Sequence, residues 1–489
     1  MMKRFVLATA LSLGVSWSTA CAEPSSPPEM QYQPCLQRRP SLPRELKESI
    51  DQLVEERMRH GRIPGLSLVV VRDGKPVYVR GYGSANLESG EPMTACTRVS
   101  VGSTTKSMTA LALLQLVEQG KVDLEAPVTR YLPWFQTADG RGSGILVKQL
   151  LSHTSGMPAK SLLEGTTDDG ALERRVRSFS QLSLAFPPGQ GWMYSNTGYA
   201  VLGLIVQTVS GMPYEQYLAN HVFQPLGMNH TTFGPPPEAT GHLAQGYAWT
   251  RGNTRPVPML LAREQHPAGA STYSSAHDVS RYLAAMLAKG RGVHGRVITP
   301  ETLHQMWQPA AATSADAAYG WGWELGPMSG RQAVYHDGSV IGSGSMFMLF
   351  PEDNLAVATL ANLNGPHQQE LAKSVAALLL GAEPPPAPPL VYRAPSTFVP
   401  DTSVWQRYVG DYVLHIYGRM RLYEESGRLL ADWTYTTPTQ VLELEAYGDN
   451  DFVIRNDLGI NDGMNVSFQG TADGQMLLLV DGQPLGRRL

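Results

Sequence analysis

Cysteine is scarce in this chain. Its 489 residues include three, Cys21, Cys35 and Cys96, so at most one internal disulfide bond is available. A basic block is missing as well. Lys and Arg number 39 against 43 Asp and Glu, and the formal net charge of −4 is spread along the chain. That balance argues against nucleic acid as a partner, and there is no acidic tail. Beyond the first residues no apolar run reaches the ~18 residues of a membrane-spanning helix, so no membrane span is expected. No repeat of solenoid length is present. His60, His221, His242 and His266 lack metal-ligand spacing. The glycine-rich Ile341–Ser345 lacks the setting of a phosphate loop and reads as strand. Neither a metal nor a cofactor is expected.

The first residues carry a different signal. Positive charge up to Arg4 precedes a short apolar run, Phe5 to Val15, and small residues follow through Ala22. This is the pattern of a secretory signal peptide over 1–22, with Ala20-Cys21-Ala22 as the cleavage site. The alternative makes Cys21 a lipid-modified N-terminus, although Ser18 stands where such leaders usually carry leucine. The expected location is periplasmic or secreted, the alternative a membrane-anchored lipoprotein. Cys35 and Cys96 can pair in an oxidising compartment.

Residues 23–42, rich in Pro, Ser and Gln, read as a flexible arm. Leu46, Ile50, Leu53, Val54 and Met58 recur at helical spacing and predict a helix over Pro43–Arg59. Apolar runs on both sides of Asp73-Gly74 predict a β-hairpin. A helix follows Ser103, with Gly120 placed to end it. A helical, loop-rich middle runs from Leu124 to Pro309, strands return around Arg331–Gly365, and Glu370–Gly381 is helical. The order implies an α+β domain over 43–381: an antiparallel sheet flanked by helices, with an all-helical part inserted. The cleft is expected where the two parts meet. Residues 382–400 contain the spacer EPPPAPP, and 401–489 alternate in short runs that predict a small all-β barrel or half-barrel.

Three motifs carry chemistry. Ser103 and Lys106 stand at i and i+3, which share a face on a helix. A serine is a weak nucleophile until a base takes its proton, and a lysine can do so only when neutral. The plain alternative is that Ser103 caps the helix. Tyr194-Ser195-Asn196 opens another helix. There Tyr194 can join the lysine as base and Asn196 can hold a substrate amide; the alternative is that Tyr194 packs and Asn196 caps. His336-Asp337-Gly338-Ser339 is read at the start of a strand, where Gly338 would let a substrate approach the backbone, although Asp337-Gly338 is also a turn signal.

In that chain order the three motifs resemble the serine β-lactamase-like hydrolases related to class C β-lactamases, a group with D-aminopeptidases, DD-peptidases and family VIII-type esterases. Leu150–Pro158, Pro225–Gly234, Pro267–Leu283 and Tyr319–Leu325 look like the same group, and the likeness runs from Leu46 to Leu380. The tail resembles lipocalin-like C-terminal domains. The resemblance implies Ser103 as the acylated nucleophile, Lys106 and Tyr194 as the base, Asn196 on the substrate amide, and the N–H groups of Ser103 and Ser339 as an oxyanion hole beside Gly338. His336 would replace a lysine of the usual third motif, weakening the case for carboxylate-bearing substrates. The expected function is a peptidase on D-amino-acid-containing peptides. The alternatives are a carboxylesterase, a β-lactamase, and, from another class, a non-turnover protein that binds penicillin or cell-wall peptide. Expected partners are therefore a small peptide, ester or β-lactam. His153 is read as a structural hydrogen-bonding residue.

Overall fold

The structure is a computed structural model that describes residues 41–489 except 160, 163–164, 235–242, 251–252, 366, 388–395, 415–417, 435, 438, 457–463, 472–473 and 481–482. The expected leader, Cys21, Cys35, the arm to residue 40 and His242 lie outside the described residues. Cys96 is disulfide-bonded. Among the described residues no helix is long and apolar enough to cross a membrane.

Nine strands make the main sheet: β1 (Gly65–Arg72), β2 (Lys75–Asn86), β3 (Glu91–Pro92), β4 (Ala311–Ala312), β5 (Ala318–Tyr319), β6 (Glu324–Met328), β7 (Arg331–Val340), β8 (Ser343–Phe350) and β9 (Leu355–Ala361). Their spatial order is β4-β5-β6-β7-β8-β9-β1-β2-β3, and every pairing is antiparallel. Asp73 and Gly74 both take positive φ, 54° and 68°, as a tight hairpin turn between β1 and β2 requires. The first and last parts of the domain meet where β1 pairs with β9.

Both faces of this sheet are covered, which is why its central strands read as unbroken apolar runs. Val69 and Val71 of β1 enter one core, while Leu66, Leu68 and Val70 enter the other. The second core is closed by α1 (Arg44–Gly61) and α5 (His367–Leu379). Ile50, Val54 and Met58 are the buried apolar face of α1, and Arg62 in a left-handed conformation ends it. The first core contains α2 (Thr105–Glu118), α3 (Asn196–Ser210) and α4 (Ala276–Leu287). Every residue of α2 from Thr105 to Leu116 is buried, so the helix is enclosed on all sides.

Two sequence expectations need correction. Tyr335–Ser339 sit in the second half of β7, not at its start, and Asp337-Gly338 forms no turn. Both residues are in register with β8, Asp337 opposite Met346 and Gly338 opposite Ser345. A Cβ on Gly338 would lie 2.1 Å from the Val101 carbonyl oxygen, so this glycine serves a close approach. Ile341 and Gly342 form the β7–β8 turn, with Gly342 at φ 81°, and the strand begins at Ser343.

After the spacer, eight antiparallel strands close into a barrel: β10 (Gly410–Leu414), β11 (Gly418–Glu425), β12 (Arg428–Trp433), β13 (Gln440–Gly448), β14 (Asp451–Arg455), β15 (Asn465–Gly470), β16 (Met476–Val480) and β17 (Gln483–Arg488). β17 returns to β10 through Tyr412 opposite Arg488, which removes the open edges of a half-barrel. The interior is a side-chain core that includes Trp405, Tyr408, Phe452 and Phe468. Between β12 and β13, Thr436–Thr437 pair in parallel with Ser161–Leu162 of the helical part.

Gly203 on α3 faces Pro267; a Cβ there would lie 2.1 Å from Pro267 Cγ. Alanine would gain about 1 kcal/mol of helix propensity. Displacing Pro267 should cost more, at ~1–3 kcal/mol for overpacking. We expect Gly203→Ala to melt below the parent chain in a thermal scan; a melting temperature at or above the parent's would refute the close packing.

Candidate active site

The Ser103–Lys106 motif is delivered from a strand end. Arg98–Ser100 leads into a turn of 3-10 helix, Gly102–Thr104, and then into α2. Ser103 does not cap: neither helical start has a side-chain cap. Its Oγ lies 3.1 Å from Lys106 Nζ. Lys106 is completely buried, and Nζ donates to the Ala268 carbonyl at 2.7 Å. Nζ also stands 4.7 Å from the centre of the Tyr194 ring and 5.6 Å from that of Tyr199. Burial pushes the ammonium well below the ordinary lysine range, against the opposing pull of Asp337. One helical turn on, Thr109 Oγ1 donates to Pro267 O at 2.7 Å, so α2 holds the segment that supplies the Ala268 carbonyl at two points.

Ser195, not Asn196, caps α3: its Oγ accepts the Gly198 N–H at 3.0 Å. Asn196 is the first helical residue and is 9% exposed. Tyr194 sits on the loop just before, flanked by His153 at a ring-centroid distance of 4.5 Å. His153 is buried and has φ 61°. Its Nδ1 accepts the Ser195 N–H at 3.1 Å. Burial, with Lys106 and His336 nearby, pushes its pKa well down and keeps the ring neutral.

The third motif forms the facing wall. A Cβ on Gly102 would lie 2.8 Å from the Ser339 amide nitrogen, and one on Gly338 would lie 3.1 Å from that of Ser103. The two backbones whose N–H groups are expected to hold an oxyanion therefore touch. His336 is fully buried. Its Nδ1 is 2.6 Å from the Asp337 carbonyl oxygen and its Nε2 is 3.0 Å from the Tyr319 hydroxyl. A carbonyl only accepts, so Nδ1 carries the proton and Tyr319 donates to Nε2. Burial and the Lys106 charge push His336 down to about 3, so the ring is neutral and both nitrogens are engaged within the protein. It offers no cation to a ligand.

The structure thus gathers Ser103, Lys106, Tyr194, His336 and Gly338 into one cluster, with Asn196 and Ser339 on the same elements. Sequence reasoning did not anticipate the Ala268 carbonyl, Tyr319, or the depth of His153's involvement. The family-like stretches around positions 153 and 319 were the available signal. Two groups among the described residues bring metal-type donors together, His230-His277-Asp278 and Glu324-His336-Asp337. In the first the two imidazoles bond to Asp278; in the second His336 is engaged as described.

Comparison with known proteins bears on the family and the fold. Protein Flp of Staphylococcus aureus (strain MW2) is 29% identical over 335 residues, covering 68% of this chain and 66% of that protein. The chain thus spans just under two thirds of that relative's length. PbpX of Bacillus subtilis (strain 168), which carries a penicillin-binding name, is 32% identical over 263 residues, 53% of this chain and 62% of its own. Among solved structures, the octameric penicillin-binding protein homologue from Pyrococcus abyssi matches with a TM-score of 0.62 and 25% identity, over 90% of this chain and all of that one. The Beta-lactamase family profile matches residues 50–382, and the chain belongs to that family of serine hydrolases.

Proposed function

We propose that this chain hydrolyses peptides containing D-amino acids through an acyl-enzyme on Ser103, in the periplasm or outside the cell. The observation that carries the chemistry is the buried Lys106, whose Nζ lies 3.1 Å from Ser103 Oγ. In the neutral state, Lys106 with Tyr194 takes the proton as Ser103 Oγ bonds to the substrate carbonyl carbon. The Ser103 and Ser339 N–H groups receive the oxyanion. Tyr194 returns the proton to the leaving nitrogen as the C–N bond breaks. Water then attacks the ester on Ser103, Oγ recovers a proton, and the acid product departs. Asn196 orients the substrate amide.

The neutral His336 supports the choice of substrate class. A cation at this position would anchor a substrate carboxylate; a ring with both nitrogens engaged does not. This favours peptides whose scissile bond is not next to a free carboxylate, and the same observation makes short esters the second reading. Penicillin binding in the names of two relatives supports an acylated serine here. A β-lactam, which carries a carboxylate, ranks below both.

The test is a rate ratio with Ser103→Ala as blank: an amidated D-alanyl-D-alanine peptide against the same peptide with a free carboxylate and against a short-chain p-nitrophenyl ester. Turnover of the amidated peptide at or above the acid form supports the proposal. Turnover of the ester alone moves the esterase reading ahead. Equal rates for the parent and Ser103→Ala would leave only a non-turnover binding role.

Lys106→Ala and Tyr194→Phe should each lower kcat by ~10²–10⁴, as loss of acid–base help does. Stopped-flow acylation with the activated ester checks this, and near-normal acylation in both would reassign the base. The pH profile has a definite sign. The protonated lysine is inactive, so kcat/KM should rise with pH along a limb well below 10.5. Asp337 opposes the downward shift of Lys106. In Asp337→Asn that limb should therefore move to lower pH; a move upward would show that another group titrates.

A further inference from the structure

His153 is tied to both neighbours of Tyr194. Its carbonyl oxygen accepts the Met193 N–H at 3.0 Å, and its Nδ1 accepts the Ser195 N–H at 3.1 Å. Its ring lies against the Tyr194 ring at 4.5 Å, and against Tyr199 and Tyr319 at 5.1 and 4.6 Å. We propose that His153 is a positioning residue for the Lys106–Tyr194 base, a two-point clamp that sets where the Tyr194 side chain stands over Lys106.

The left-handed backbone at His153 is part of the device. With φ at 61°, one residue turns its carbonyl and its side chain toward the same strand of loop. Non-glycine residues enter this region at an energetic cost, and such strain collects at functional sites. The loop is also fastened further out, where the Gly189 N–H donates to Thr154 O at 2.7 Å. Tyr194 is thus held from a neighbouring loop at the peptide groups on each side of it. The side-chain half of the clamp needs an acceptor. Only the neutral imidazole with its proton on Nε2 supplies one, and Nε2 has no protein partner among the described residues. An apolar ring of similar size would fill the same space without leaving a buried N–H unpaired. What the histidine adds is the bond to Ser195.

The proposal rests on Tyr194 belonging to the base. Two variants separate the acceptor from the packing. His153→Asn places an amide oxygen where Nδ1 stands and tolerates the left-handed backbone. His153→Leu keeps apolar contact and has no acceptor. Each is made in the parent chain and in Tyr194→Phe, and kcat and KM are measured with the activated ester. We expect His153→Asn to stay close to the parent. His153→Leu should lose ~10²-fold in kcat with KM little changed, the scale of a small misplacement of a catalytic group. In the Tyr194→Phe background His153→Leu should add little further loss, since the group it positions is gone.

An equal loss in both backgrounds, or the same loss in His153→Asn as in His153→Leu, would overturn the clamp. Full activity in Tyr194→Phe alone would sink the base assignment and the clamp with it. Should His153→Leu not fold, His153→Gly removes the acceptor while suiting the backbone, and the same comparison applies.

Discussion

A lysine kept dry is the constraint on which the rest of this molecule depends. Moving an ammonium from water into a protein interior costs several kcal/mol even after relaxation, and the group responds by releasing its proton. Each pKa unit of that release is worth about 1.36 kcal/mol. A helix apolar on one face only would leave the lysine partly wet. α2 is instead enclosed on all sides, and the hydroxyls of Thr104 and Ser107 near Lys106 are satisfied internally. Thr104 Oγ1 donates to Val101 O at 2.8 Å and Ser107 Oγ to Thr104 O at 2.7 Å. Bound hydroxyls such as these can be buried at little net cost. The lysine, whose Nζ donates to Ala268 O and Ser103 Oγ, is the group whose charge state the burial controls.

The same dryness governs the neighbours. His153 and His336 are both driven neutral, and burial raises the Tyr199 and Tyr319 hydroxyls, so they stay protonated. The wall around Lys106 is therefore built from neutral donors and acceptors whose roles are fixed: Nδ1 of His153 accepts, Nδ1 of His336 donates, and Tyr319 donates. Asp337 supplies the opposing charge, and the Gln369 amide of α5 donates to it at 2.8 Å. A network of this kind positions groups without charge pairs, and a ligand entering the cleft does not have to break one.

Much of this was legible in the chain, for reasons that can be named. Ser103 and Lys106 are three apart at a helix start, and an i, i+3 pair needs no tertiary information to be read as adjacent. The Asp73-Gly74 hairpin and the apolar face of α1 are equally local. What escaped was non-local or carried by backbone. The Ala268 partner is a carbonyl, which any residue type supplies. His153 acts on Ser195, 42 positions away, through a conformation that no residue-type pattern announces. Asp337-Gly338 has turn chemistry by local preference, but cross-strand pairing to Met346 and Ser345 and the close approach of Val101 override it. Barrel closure likewise depends on Tyr412 meeting Arg488, a contact between the first and last strands that alternation alone does not predict.

The histidine at 336 bears on the Lys106 pKa as well as on the proposed substrate class. A permanent cation there would depress the Lys106 pKa by like-charge repulsion while it held a substrate carboxylate. A neutral ring does neither, and the depression of Lys106 falls to burial, with Asp337 pulling the other way. Repulsion between two fixed charges persists when some water enters a cleft; desolvation does not. The site is consequently more sensitive to wetting than one with a second cation. That sensitivity gives a physical reason for the rings of His153, Tyr194, Tyr199 and Tyr319 to crowd one buried volume, since each excludes water from the neighbourhood of Nζ while leaving a hydrogen-bonding atom at its edge.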